Sequence, residues 1–192
     1  MQGQTIASAH WRALERDGED TCRLARMEDG WLLVGHARFR DDDGFAALDY
    51  VVRCDADWHT LSADIAGSHG GLEMRVTLHR KGPEWVMNDK AQPQVSGAQD
   101  VDLSFTPATN LMPLRRLATE PAQTINTCAA WLRYPSCELS PLDQTYTQGG
   151  SAEVVFYSAK QTSYATQLDV DTAGFVTLYP GVWEGEVSHA SP

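Results

Sequence analysis

The sequence predicts a mainly β protein: a large, chiefly antiparallel sheet accompanied by a single α-helix. Three observations carry this. Apolar residues recur with a period of two, as half-buried strands require. The connections between apolar runs are short and rich in Gly and Asp, which suits tight turns and leaves no room for the helical crossovers that parallel pairing needs. Only one segment combines helical spacing with start and stop signals.

From the N-terminus, Ile6–Arg16 has poor helical spacing and reads as irregular or as a strand. The clearest strand is Gly71–Arg80, where Leu72, Met74, Val76 and Leu78 share one face and Glu73, Arg75, Thr77 and His79 the other. Similar alternation predicts strands at Cys22–Met27, Trp31–Arg40, Phe45–Cys54, Trp58–Ile65, Glu84–Met87, Val101–Phe105, Thr127–Arg133, Ala152–Ser158, Tyr164–Val170 and Phe175–Tyr179, about eleven in all. The turn signals between them are Asp29-Gly30, Asp41-Asp42-Asp43-Gly44, Gly70-Gly71, Gly149-Gly150 and Thr172-Ala173-Gly174. The helix is expected at Asn110 to about Thr119: Thr109 or Asn110 can cap it, Pro113 fits the first turn, and Pro121 stops it. Leu111, Leu114, Leu117 and Ala118 fall on one side of it.

A weak internal echo relates Cys54–Leu61 to Val170–Leu178 with one inserted residue, each carrying Asp at the turn and an aromatic after it. No low-complexity linker separates the copies, so one domain over residues 1–192 is expected.

The 15 basic and 26 acidic residues leave a net charge of −11, which argues against nucleic-acid binding and against an anionic membrane surface. With 42% apolar residues and six tryptophans, the chain can fill a sizeable core. The first twenty residues lack the apolar run of a secretory signal, and no segment approaches the ~20 apolar residues that span a bilayer. A cytoplasmic protein is expected, with Cys22, Cys54, Cys128 and Cys137 as free thiols.

The common catalytic signatures are absent: no Gly-x-Ser-x-Gly elbow, no phosphate-binding glycine loop, no His-Glu-x-x-His and no Cys-x-x-Cys. No metal site is expected. Cys54 and His59 have no metal-specific spacing, and Asp41-Asp42-Asp43-Gly44 lacks the alternating ligands of a calcium loop and reads as a solvated hairpin tip.

Two segments are dense in functional groups. In Asp100–Leu117, Asp100, Asp102, Ser104 and Thr106 share one strand face, and the helix that follows carries Asn110, Arg115 and Arg116. The two arginines point about 100° apart around the axis. This polar network can be a solvated face, a fastening of helix to sheet by charge-assisted hydrogen bonds, or a recognition site for hydroxyl-rich or anionic head groups. The second segment, Tyr179-Pro180-Gly181-Val182-Trp183, bends or ends a strand between aromatic side chains, with Tyr134-Pro135 as a distant counterpart. Such a bend can be a core corner or a surface for lipid chains or sugars.

The succession Asp100-Val101-Asp102-Leu103, Thr106-Pro107-Ala108-Thr109-Asn110, Pro113-Leu114-Arg115-Arg116-Leu117, Ala130-Trp131 and Tyr179-Pro180-Gly181-Val182-Trp183 resembles the bacterial family described as "putative glycolipid-binding" over nearly the full chain. That resemblance implies a spiral β-roll, a long antiparallel sheet wrapped around one central helix, with a homodimer as the assembly and a shape similar to lipoprotein carriers. It implies no catalytic residue and no cofactor. Within such a roll an unpaired arginine would be costly, so at least one Asp100 or Asp102 pair with Arg115 or Arg116 is expected.

The leading functional expectation is a lipid or glycolipid held in an apolar hollow between helix and sheet, lined by Leu111, Leu114, Leu117, Trp131, Tyr179 and Trp183. A polar-rimmed cavity of at least ~300 Å³ would support it. Two alternatives stand beside it. One is a dimeric scaffold or partner-binding module. The other is a small-molecule enzyme with Asp102 or Glu138 as base and Tyr179 or Arg116 as electrostatic helper.

Overall fold

The computed structural model describes residues 3–190. Fifteen strands form one continuous sheet: β1 (Gln4–Ala13), β2 (Gly18–Met27), β3 (Gly30–Asp41), β4 (Gly44–Cys54), β5 (Thr60–His69), β6 (Leu72–Lys81), β7 (Glu84–Met87), β8 (Lys90–Ala91), β9 (Asp100–Leu103), β10 (Thr124–Arg133), β11 (Glu138–Gln148), β12 (Val154–Ala159), β13 (Tyr164–Val170), β14 (Val176–Tyr179) and β15 (Trp183–His189). The order across the sheet is β8-β7-β6-β5-β4-β3-β2-β1-β15-β14-β13-β12-β11-β10-β9. Every pairing is antiparallel except β9 with β10. Joining β1 to β15 carries the two hairpin series into a single layer, which curls so that its β9 end lies inside.

The curl follows from where apolar side chains fall. In β4 the alternation is regular: Ala46, Leu48, Tyr50, Val52 and Cys54 are all buried on one face. In β10 and β11 both faces are buried. Ala130, Leu132 and Leu139 join a first core with β1–β7 and β9, whereas Ala129, Leu142 and Tyr146 join a second with β12–β14. Strands apolar on both faces must be covered on both faces, and here one rolled sheet does the covering. The roll is stitched at its inner edge rather than closed. The Thr60 N–H donates to the Gln99 carbonyl (3.1 Å), Thr60 Oγ1 accepts from the Val101 N–H (3.0 Å), and Trp85 Nε1 donates to the Ala98 carbonyl (3.0 Å).

The N-terminal segment is a strand, β1. Two long strands were not anticipated. In β11 the obstacle to prediction is Pro141, which cannot donate to a ladder; it lies in the stretch where β11 is bonded to β10 alone, since β12 pairs only with Gln144–Gln148. In β15 it is Gly185. A Cβ there would lie 2.2 Å from Trp11 Cδ1, so the position opposite the buried Trp11 has no side chain with which to signal a strand.

The helix α1 (Leu111–Leu117) is shorter than expected and is preceded by a 3₁₀ turn over Ala108–Asn110. Neither Thr109 nor Asn110 caps it, because both are occupied elsewhere. Thr109 Oγ1 accepts from the Leu103 N–H (3.2 Å), and Asn110 sits between the Pro107 carbonyl (3.2 Å) and the Tyr146 hydroxyl (2.9 Å). Thr106 starts the turn instead, accepting from the Ala108 N–H (3.0 Å). The leucines divide between the cores: Leu111 and Met112 face the first, Leu114 and Leu117 the second.

Two matching turns grip the helix. At one, the N–H groups of Asp57 and His59 donate to Asp55 Oδ1 (3.0 and 2.8 Å). At the other, those of Ala173 and Phe175 donate to the Asp171 carboxylate (3.1 and 2.8 Å). These are the two echoed segments of the sequence. They correspond residue for residue within the turn, Trp58 to Gly174 and His59 to Phe175, with no insertion there. Trp58 and Gly174 both have positive φ, 67° and 96°. A bulky residue resists that conformation, and Trp58 is held in it by stacking on Trp31 (4.1 Å, 15°) under the Arg115 guanidinium (5.0 Å). At Gly174 the space of a side chain is filled by Arg115, whose Cδ would lie 2.7 Å from a Cβ.

Candidate functional site

The polar residues of β9 and α1 separate into three arrangements. The first is an ion pair. Arg116 donates Nη1 to Asp100 Oδ1 (2.8 Å) and Nη2 to Asp100 Oδ2 (2.5 Å), and Nη1 also reaches the Trp58 carbonyl (2.9 Å). The Thr127 hydroxyl donates to Asp100 Oδ2 (3.0 Å). The Asp100 side chain is 2% exposed, so this pair fastens helix to sheet away from solvent. Arg115 points elsewhere, to the Thr172 and Ala173 carbonyls (3.4 Å each).

The second arrangement lies at Asp20, a residue that the sequence reading passed over. It is wholly buried; the Tyr50 hydroxyl (2.9 Å) and the Thr106 hydroxyl donate to Oδ2. No cation pairs with it among the described residues. Burial pushes its carboxyl up to about 7, against the pull of the two hydroxyls. Tyr50 reaches this position because Gly35 faces it across the β3–β4 pair: a Cβ at Gly35 would lie 1.9 Å from Tyr50 Cζ.

The third arrangement surrounds a cavity of about 290 Å³. β9 supplies Asp102 and Leu103, the 3₁₀ turn and the residues before it supply Ser104, Thr106, Pro107 and Asn110, and β10 supplies Trp131. The opposite wall is Tyr157 and Ala159 of β12, Tyr164 of β13, Tyr179 of β14 and Trp183 of β15. The three tyrosines touch one another, with ring centroids 5.9–6.4 Å apart. Gln144 Nε2 donates to Asp102 Oδ2 (2.9 Å) and to the Tyr157 hydroxyl (3.1 Å). Burial raises the Asp102 carboxyl to about 6; the Gln144 hydrogen bond opposes this and the neighbouring Asp100 charge adds to it. Burial likewise pushes the Tyr157 and Tyr179 hydroxyls well up.

Of the expected lining residues, Trp131, Tyr179 and Trp183 border this cavity, together with Asp102 and Asn110 of the polar network. Leu111, Leu114 and Leu117 do not; they are packed in the two cores, because the helix is covered on both sides and the open space begins one turn before it. Tyr157 and Tyr164 were missed, although both lie in strands predicted from the sequence. Alternation gave their face but not what stood opposite it. Tyr134 packs instead against Phe39 and His69 (5.3 and 5.0 Å).

Beside the cavity runs a wider, shallower groove of about 750 Å³ lined by polar groups, among them Gln99, Asn126, Asp143, Ser158 and Lys160. Ala159 and Tyr164 border both spaces, and Gln144, which holds Asp102, faces the groove. Elsewhere Asp41, Asp43 and His69 bring potential metal-binding atoms within 4.8 Å of one another, a proximity invisible in sequence because β4–β5 pairing creates it. His69 is hydrogen-bonded to Asp41 there (2.9 Å). The four cysteines are free. Among the described residues no helix is long and apolar enough to cross a membrane.

The fold has solved counterparts. A DUF1089 family protein from Pseudomonas aeruginosa is similar at a TM-score of 0.74 and 29% identity, over 86% of this chain and 91% of that one. A β-barrel-like protein of domain of unknown function DUF1849 from Brucella abortus has the same fold at a TM-score of 0.57 and 10% identity, with 98% of each chain covered. No curated protein matches the sequence. The model of the family described as "Putative glycolipid-binding" matches residues 8–185, a span that includes the ion pair, the Asp20 cluster and the whole cavity wall. The chain belongs to that family.

Proposed function

We propose that the protein binds a lipid or glycolipid, with the apolar part of the ligand in the aromatic cavity and its hydroxyl-rich head in the adjoining groove. One observation carries this reading: an aromatic-walled space and a polar groove share Ala159 and Tyr164 as a common border, so one amphiphile can occupy both. Tyr and Trp suit that border, having broad apolar faces with polar tips. The cavity volume of about 290 Å³ falls just short of the ~300 Å³ expected of such a site, which favours a single chain or chain segment over a multi-chain lipid. Family membership supports the same class of ligand.

Ala159 is the position at which to test this. Titration with n-dodecyl β-D-glucoside below its micelle concentration, followed through tryptophan fluorescence, is expected to saturate at one equivalent. Ala159→Trp fills the shared border and is expected to weaken binding at least about tenfold, or ~1.4 kcal/mol. A folded Ala159→Trp protein that binds the glucoside as tightly as the parent would refute the site.

A further inference from the structure

The cavity has an electrostatic character that the family description does not supply. None of its lining residues is Lys, Arg or His, and Asp102 is its only ionisable carboxylate. Asp102 Oδ2 is held by Gln144, whereas Oδ1 has no hydrogen-bond donor among the described residues. Among the described residues no ion pair reaches Asp102 either: Arg116 is committed to Asp100, and Arg115 to the Thr172 and Ala173 carbonyls. Arg133 and Arg16 stack on Trp131 and Trp183 (5.4 and 5.8 Å) but do not border the space. The result is a half-buried carboxylate with one oxygen free and five aromatic rings, Trp131, Tyr157, Tyr164, Tyr179 and Trp183, around the space it faces.

Each of these features selects the same ligand charge. A half-buried carboxylate without a counter-ion loses its remaining water when an apolar ligand covers it, and a cation arriving with that ligand offsets the cost. Aromatic faces attract cations and repel anions, ammonium groups above all when desolvated. An anionic head or a fatty-acid carboxylate would meet no positive partner here. We infer that the cavity accepts an amphiphile bearing an ammonium group, a primary or quaternary amine, seated against Asp102 and the aromatic rings.

This inference rests on the binding reading above and narrows its ligand class. Because Gln144 connects Asp102 to the polar groove, the ammonium would sit where head and chain of the ligand join. Anionic lipids are excluded from the cavity on the same ground.

The experiment compares dodecylammonium, dodecanoate and n-dodecyl β-D-glucoside by calorimetry at pH 7.5, all below their micelle concentrations. Wild-type protein is expected to bind dodecylammonium at least about thirtyfold more tightly than dodecanoate, at one equivalent and in competition with the glucoside. In Asp102→Asn that ratio should fall to within about threefold of unity. Glu73→Gln removes the same charge from an exposed site on β6 and should leave the ratio as in wild type, separating the cavity from general attraction to an acidic protein. Equal binding of the two charged probes by wild-type protein, or a preference that survives in folded Asp102→Asn, overturns the inference. If Asp102→Asn does not fold, Ala159→Trp decides it: a wild-type preference for dodecylammonium that survives in folded Ala159→Trp overturns the inference, and its loss there supports it. Glucoside binding without ammonium preference would sink this inference alone, whereas failure of all three probes would sink the binding reading with it.

Discussion

Replacing Arg116 with Ala is expected to cost the protein about 3–5 kcal/mol of unfolding free energy, read from urea denaturation followed by circular dichroism. The pair it breaks is out of water: Asp100 is 2% exposed and Arg116 16%. Removing the guanidinium strands the Asp100 carboxyl without a counter-charge, out of water, with the Thr127 hydroxyl as its remaining side-chain donor among the described residues. The Trp58 carbonyl loses its donor as well, so one end of the helix is released from the first gripping turn. Arg116→Lys should recover only part of the loss, because an ammonium cannot reproduce the two-pronged geometry. The double replacement Asp100→Leu with Arg116→Met should be less damaging than Arg116→Ala, since it removes the stranded charge along with its partner. A loss below about 1 kcal/mol in Arg116→Ala would mean that the pair is not a fastening.

The second large effect is expected at Asp20 and appears as a dependence on pH. Its folded carboxyl lies near 7, above the ordinary value of 3.8, so the folded state prefers the protonated form. The stabilisation is fully present below the unfolded value, fades as pH rises between about 4 and 7, and is gone above the folded value. A shift of about three units corresponds to at most ~4 kcal/mol. Asp20→Asn holds the position neutral at every pH and keeps an oxygen to accept from Tyr50 and Thr106. Relative to wild type, the variant should therefore gain about 3–4 kcal/mol between pH 4 and pH 8. Other carboxylates titrate in both proteins, and their contribution cancels in the difference. Parallel stability curves for the two proteins across that range would contradict the assignment.

The outer half of the roll was legible because its strands bury one face: β3 and β4 alternate over most of their length and β6 over its middle, and their turns carry Gly or Asp. Legibility fell where one strand serves two cores. Leu139 and Leu142, three apart on β11, face opposite sides, so no single alternation runs through that strand. The helix was legible from Pro113, Pro121 and its leucines. Its start was not, because Thr106 rather than Thr109 or Asn110 begins the turn, and that depends on a hydroxyl 86 residues from Asp20 in the chain.

The site divides in the same way. Asp100, Asp102, Asn110, Arg115 and Arg116 were visible as a dense polar run, and Trp131, Tyr179 and Trp183 as aromatics near bends. Which carboxylate meets which arginine could not be read from spacing. Asp100 and Asp102 share a strand face, yet Asp100 lies under Arg116 whereas Asp102 opens into the cavity beside Gln144. Gln144 belongs to β11, the strand that Pro141 concealed. The leucines drew attention because the helix was expected to border open space; instead it is filled in on both sides.

The claim that an amphiphile occupies the aromatic cavity is tested most directly by native mass spectrometry of protein purified without detergent from the cells that make it. The account predicts a second charge-state series heavier than the polypeptide by one lipid or glycolipid mass, present in wild type and lost in Ala159→Trp. A spectrum of bare polypeptide alone, unchanged after incubation with n-dodecyl β-D-glucoside, would contradict it.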